Sequence, residues 1–204
     1  MTKTSDTRPI VALDVDGVLL DCDTSFAFVA SFAFGRDVPR LNREYNLTKR
    51  YGLTQDETDH VFETMKSHPS GWGGMPVLSG AVEAALRLRE LGYALHLVTA
   101  ISEDLKDLRL ECLAQAGLVP DGIHCAGHAY ASKANILREL NPVMLVDDRL
   151  HHLYDAPFVE HRVWVDHGDH QDGLVVDESL YYTNSLAQWV RSWERTQPFG
   201  RQAA

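Results

Sequence analysis

The apolar run Val11 to Leu13 ends in two aspartates two residues apart, Asp14 and Asp16, with Gly17 directly behind them and Val18 to Asp21 following. Residues i and i+2 share one face of a strand, and a glycine lets the chain turn tightly just after the second acid. Asp14 and Asp16 therefore converge on one loop above a sheet edge. The pair suits chemistry that takes a nucleophile or metal ligand from the first acid and a proton donor and acceptor from the second. Alone, Asp-Val-Asp-Gly is more often a calcium-like turn or plain loop than a catalytic pair, so its meaning depends on the rest of the chain.

Three other segments bear on it. LHLVTA, Leu95 to Ala100, is an apolar strand pattern ending in Thr99, whose hydroxyl and neighbouring N–H groups can hold phosphate oxygens. VMLVDDRL, Val143 to Leu150, is a second such pattern ending in Asp147 and Asp148. Between them, ASKANIL sets Lys133 at the start of a short helix, with Lys106 and Arg138 as alternative cations for the same rim. Strands are expected at Ile10–Asp14, Tyr93–Val98, Gly122–Cys125, Val143–Val146 and Arg162–Val165. Helices are expected at Gly80–Leu91, Glu103–Ala116 and Lys133–Leu140, from apolar residues at helical spacing. Strands and helices that alternate through short connections predict an α/β fold, a parallel sheet covered on both faces. Ligands of such sheets sit outside the carboxyl ends of the strands, where all four segments fall.

In order along the chain, Asp-x-Asp, Thr, Lys and an acidic pair resemble the four motifs of the haloacid dehalogenase (HAD) superfamily, over roughly Ile10 to Trp164. The resemblance implies a Rossmann-like (HAD-type) sheet and a phosphohydrolase. It makes Asp14 the nucleophile that forms an aspartyl-phosphate, and Asp16 the acid and base. Asp14, Asp147 and the Asp16 carbonyl would hold Mg²⁺, Thr99 and Lys133 the phosphate oxygens, and Asp148 would support the metal from behind through hydrogen bonds or water. The presence of Asp16 sets the chain apart from the dehalogenases and from the transport ATPases of that family. A phosphomonoesterase or phosphomutase is left. The VDDR form of the last motif and the strand RVWVDHG partly resemble the 5'(3')-deoxyribonucleotidase type, which makes a nucleoside monophosphate the expected substrate. A sugar-phosphate phosphatase or phosphomutase is the alternative, and a non-catalytic binding protein of the same fold is a third reading.

Between Asp21 and Met75 the alternation stops. Ser25–Phe34 and Thr54–Lys66 read as helices, the second with Thr54 and Glu57 as a capping box. Pro69, Gly71, Gly73, Gly74 and Pro76 mark a return to the sheet. The resemblance implies a small helical cap inserted after the first strand, residues 21–75, on a core of residues 1–20 and 76–204. Asp21 and Asp23 are expected to cap its first helix. Tyr45, Tyr51 and Trp72 are its candidate substrate readers. Beyond Val165, the cluster Asp166, His167, Asp169 and His170 reads as a solvated polar loop, with a second metal or substrate contact as the sharper alternative. SLAQWVRSWE, Ser185–Glu194, reads as an amphipathic helix that buries Trp189 and Trp193.

A net charge of −10 argues against a binding surface for a nucleic-acid polymer, but it is compatible with a small phosphorylated substrate whose site acids are offset by a divalent cation. The three cysteines, Cys22, Cys112 and Cys125, lack Cys-x-x-Cys spacing and are expected as reduced thiols. The opening MTKTSDTRP is polar and no apolar stretch is long enough to span a bilayer, so no membrane partner is expected and the cytoplasm is the expected location. Oligomeric state is left open.

Overall fold

The computed structural model describes residues 6–128, 131–171 and 173–196; the first five residues of the polar N-terminus lie outside that range. Six parallel strands form one sheet in the order β3-β2-β1-β4-β5-β6: β1 (Ile10–Leu13), β2 (Ala94–Thr99), β3 (Gly122–Cys125), β4 (Met144–Asp147), β5 (His161–Val165) and β6 (Tyr181–Thr183). The strand order reverses at β1, whose neighbours are β2 and β4. The crevice at such a switch point is where doubly wound sheets bind ligands.

Period-2 alternation divides each buried strand between two layers. Val11, Leu13, Leu95, Leu97, Met144 and Val146 face one core cluster, while Ala12, Val98 and Leu145 face the other. Over the first face lie α4 (Ala81–Glu90), α5 (Lys106–Gln115) and α8 (Leu186–Thr196), which contribute Leu88, Leu113 and Trp189. α6 (Ala134–Leu140) and α7 (Leu150–Tyr154) cover the second face with Leu137 and Leu153. Trp189 and Trp193 stack at 5.5 Å and pack into the core, as expected of an amphipathic terminal helix.

The segment between β1 and α4 carries only helices: α1 (Cys22–Phe34), α2 (Leu47–Tyr51) and α3 (Gln55–Met65). Asp21 caps α1 by accepting from the Thr24 N–H, and Thr54 and Glu57 close the expected capping box on α3. Phe26 joins the helices by meeting the rings of Tyr51 and Phe62, and this apolar filling is continuous with the sheet's first layer. The glycines of the return are a packing necessity. A Cβ on Gly71 would stand 2.0 Å from the Met65 carbonyl oxygen, and one on Gly74 1.8 Å from that of Pro69.

Four elements differ from expectation. The short helices α2 and α7 and the edge strand β6 are too brief to show a periodicity. The helix expected from Glu103 begins as a single 3-10 turn, Glu103–Leu105, before α5. Cys22, Cys112 and Cys125 are free thiols. Among the described residues no helix is long and apolar enough to cross a membrane.

Candidate active site

β1 and β4 are in register from Val11 opposite Met144 to Leu13 opposite Val146, and the pairing continues as the Asp14 N–H donates to the Val146 carbonyl at 2.9 Å. Asp14 and Asp147 therefore leave the sheet side by side at the switch point. Lys133, wholly buried at the start of α6, donates to Asp147 at 2.7 Å and lies 3.0 Å from Asp14. The other two candidate cations are elsewhere: Lys106 pairs with Glu103, and the Arg138 guanidinium lies over Phe158. Thr99, at the end of β2, is also fully buried, and its hydroxyl has no hydrogen-bond partner among the described residues. A buried hydroxyl left unpaired costs stability, so its presence at the end of the strand next to β1 suits a ligand oxygen.

Asp148 stands closer to the centre than a supporting role from behind implies. One oxygen from each of Asp14, Asp147 and Asp148 lies within 4.8 Å of the others. Asp148 Oδ2 accepts from the Tyr45 hydroxyl at 3.1 Å, while Oδ1 is buried with no partner among the described residues. The Asp148 carbonyl accepts from Trp164 at 3.1 Å and from Gln171 at 2.6 Å, which fixes the turn that presents the carboxylate. Gly17, at φ +78°, supplies the left-handed turn expected after Asp16. It also makes room, since a Cβ there would stand 2.6 Å from Asp148 Oδ2.

Three buried carboxylates face one lysine, and the electrostatics reflect the imbalance. Burial pushes the Asp14 carboxyl up to about 6 against the pull of Lys133, with Asp147 adding to the rise. Burial and the charges of Asp14 and Asp147 push Asp148 well above the usual carboxylate range. Burial would lower Lys133, but its two aspartates outweigh it and the amine is held above its usual value. An orphaned carboxylate oxygen in a cluster of excess negative charge fits a hard divalent cation, which takes oxygen ligands.

Asp16 projects from the same loop and is gripped by a residue the motifs do not reveal. Arg109 of α5 has no exposure to solvent, and its Nη2 donates to both Asp16 oxygens at 2.5 and 2.7 Å. Its guanidinium lies 4.7 Å over the Trp72 ring. Desolvation raises the Asp16 carboxyl, with Arg109 pulling the other way. The one signal in sequence is that Arg109 falls on the apolar stripe Leu105, Arg109, Cys112, Leu113, where a helix of this kind buries its side chains.

A cavity of about 510 Å³ opens over these groups and is roofed by the helical segment. Of the three candidate readers, Tyr45 and Trp72 line it. Tyr51 instead packs on Phe26, and its hydroxyl donates to the Asp23 carbonyl. Asp23 does not cap α1; its carboxylate lines the cavity and pairs with Arg40 and Arg50. The Asp166–His170 loop is not a free solvated loop. Asp169 pairs with Arg40 and Arg50, and the His167 Nε2–H donates to the Gly17 carbonyl at 2.6 Å.

No family model and no curated protein sequence matches the chain. Solved structures do. A haloacid dehalogenase-like family hydrolase from Streptococcus pneumoniae superposes at TM-score 0.61 and 13% identity, over 91% of this chain and 98% of its own. A predicted phosphatase from Clostridium acetobutylicum gives 0.64 and 16%, over 92% and 99%. CbbY from Rhodobacter sphaeroides in complex with phosphate gives 0.58 and 16%, over 89% and 96%. With the six parallel strands, the reversal at β1 and the helices inserted behind it, the chain has the haloacid dehalogenase fold.

Proposed function

We propose that the protein is a Mg²⁺-dependent phosphomonoesterase that works through an aspartyl-phosphate and acts on a small phosphorylated metabolite, a nucleoside monophosphate. The observation that carries this reading is the convergence of Asp14, Asp147, Asp148 and Lys133 at the switch point, with a Thr99 hydroxyl at the end of the neighbouring strand β2 that has no partner among the described residues. The fold neighbours described as a phosphatase and as a complex with phosphate support it.

In this reading the Asp14 carboxylate attacks phosphorus in line, and the leaving alcohol takes a proton from Asp16. Asp16 then takes a proton from the water that cleaves the aspartyl-phosphate, a role typically worth about 10²–10⁴-fold. A raised carboxyl on Asp16 favours the protonated acid needed in the first step, and Arg109 keeps its orientation. The Thr99 hydroxyl and Lys133 ammonium donate to the phosphoryl oxygens, where fixed donors act at low dielectric. Asp14, the Asp16 carbonyl, Asp147 and Asp148 would hold Mg²⁺, which offsets the charge of the acids and of the phosphate. The helical segment, residues 21–75, acts as a cap that excludes water and reads the leaving group.

Tyr45, Phe62 and Trp72 on the cavity wall suit a base, while Thr24, Thr48 and Gln55 suit hydroxyl groups. That polar stretch of wall favours one further reading, a sugar phosphate. Phosphate release with Mg²⁺ across nucleoside monophosphates, sugar phosphates and acyl phosphates decides between them. A nucleoside monophosphate is expected to give the highest kcat/KM. Turnover confined to sugar phosphates, or transfer of phosphate within one sugar without net release, overturns the nucleotidase reading and leaves the catalytic assignment standing.

A further inference from the structure

The loop from Asp166 to Gln171 has no part in the chemistry above, yet it touches three separate pieces of the site. Toward the helical segment, the Asp169 carboxylate meets both Arg40 and Arg50, the latter at 2.5 Å, and the same two arginines reach Asp23 at the start of α1. The backbone is stitched to the same segment, as the Tyr45 N–H donates to the His170 carbonyl at 3.1 Å and the His170 N–H to that of Arg43 at 2.6 Å. Toward the sheet, His167 donates to the Gly17 carbonyl. Gln171 donates to the Asp148 carbonyl at 2.6 Å and accepts from the Leu150 N–H at 2.9 Å.

The Arg50 and Asp169 side chains are only 5% and 9% exposed. A pair so desolvated is weakly screened by salt, and removing the Asp169 charge leaves Arg40 and the buried Arg50 to share the single carboxylate of Asp23. Asp169 therefore holds a place rather than decorating a surface. What it holds is the stretch from Arg43 to Tyr45, whose phenol ends on Asp148 Oδ2 at 3.1 Å. Asp23, Arg40, Arg50, Tyr45 and Asp169 all line the cavity that Asp14 also lines.

We propose that Asp169 is a specificity-determining positioning residue: through Arg40 and Arg50 it clasps the helical segment to the catalytic loops and sets the wall that a substrate's leaving group meets. This rests on the function proposed above only in the choice of substrate. A leaving group large enough to reach the wall depends on the clasp. One that ends near phosphorus does not.

Asp169→Asn removes the charge at nearly constant volume and is compared with wild type in two measurements. In hydrogen exchange, the Tyr45 amide is expected to exchange about tenfold faster, as for roughly 1.4 kcal/mol of lost local stability, with the amides of β1 and β4 unchanged. In kinetics, KM for the preferred nucleoside monophosphate is expected to rise about tenfold, while kcat/KM for acetyl phosphate stays within about twofold. Asp169→Glu, which keeps the charge, is expected to restore KM to within about threefold. Unchanged exchange at Tyr45, or equal losses on both substrates, overturns the proposal. If Asp169→Asn does not fold, Arg40→Gln, which removes the more exposed of the two cations, is read in the same way. Absence of nucleoside monophosphate turnover by wild type refutes the substrate reading alone, and the exchange result still decides the clasp.

Discussion

Arg109 grips both carboxylate oxygens of Asp16 from within the core, at 2.5 and 2.7 Å, so the proposed acid and base is anchored by a side chain that solvent never reaches. Hydrogen bonds to charged groups contribute about 1.5–3 kcal/mol each. Arg109→Met is expected to cost about 2 kcal/mol in urea unfolding, discounted because Asp16 itself is partly exposed. Turnover of alkyl phosphates is expected to fall more than that of aryl phosphates, whose leaving groups need little protonation. Equal loss on both would show that Arg109 supports the fold and not the orientation of Asp16.

Asp14→Asn keeps volume and removes the nucleophile. Circular dichroism is expected to be unchanged, while phosphate release falls by at least about 10³-fold, as for loss of a group around which the reaction is built. Substantial turnover by the purified, sequence-verified variant rules out an aspartyl-phosphate on Asp14.

The raised Asp14 carboxyl gives a pH test that needs no substrate. Its folded value of about 6 lies above the ordinary 3.8 of an unfolded chain, so the folded state binds the extra proton between those values. Its contribution to the stability of the metal-free protein is complete below about pH 4 and is lost as pH rises through about 6. Mg²⁺ competes with that proton. The rise in Tm on adding Mg²⁺ is therefore expected to be larger at pH 7 than at pH 5, measured by thermal unfolding in matched buffers. An equal rise at both values, or none, counts against a metal on this cluster.

Gly17 tests the geometry of Asp148. Alanine there must adopt φ +78° and place its Cβ 2.6 Å from Asp148 Oδ2. Gly17→Ala is expected to lose upwards of about 1 kcal/mol of stability from the strained backbone. It should also raise the Mg²⁺ concentration needed for half-maximal activity severalfold, because the carboxylate has to move. Unchanged metal dependence would place Asp148 outside the metal shell.

The alternation of strand and helix runs, the acids at two strand ends and the Thr54 capping box are legible along the chain because each depends on residues within one turn or one strand of each other. The motif residues Asp14, Asp16, Thr99, Lys133 and Asp147 are legible for the same reason, each marking the end or start of a recognisable element. Asp148 is legible as a member of an acid pair, but its distance from Asp14 depends on how Trp164 and Gln171 hold its carbonyl.

Arg109 and Asp169 belong to the other class. Arg109 lies 93 residues from Asp16, and Asp169 lies 119 residues from Arg50. Nothing local distinguishes Arg109 from an ordinary helix arginine except its place on an apolar stripe, and nothing local distinguishes Asp169 from the acid of a solvated loop. A charge becomes a positioning group only when folding removes its water and supplies one particular partner, and that pairing exists nowhere but in the tertiary structure. Hydrophobic periodicity and turn chemistry act over a few residues, so the sheet, its alternation with helices and the acids at the strand ends can be read along the chain. Tertiary packing alone decided which buried cation holds which acid, and how the inserted helices are tied over the site.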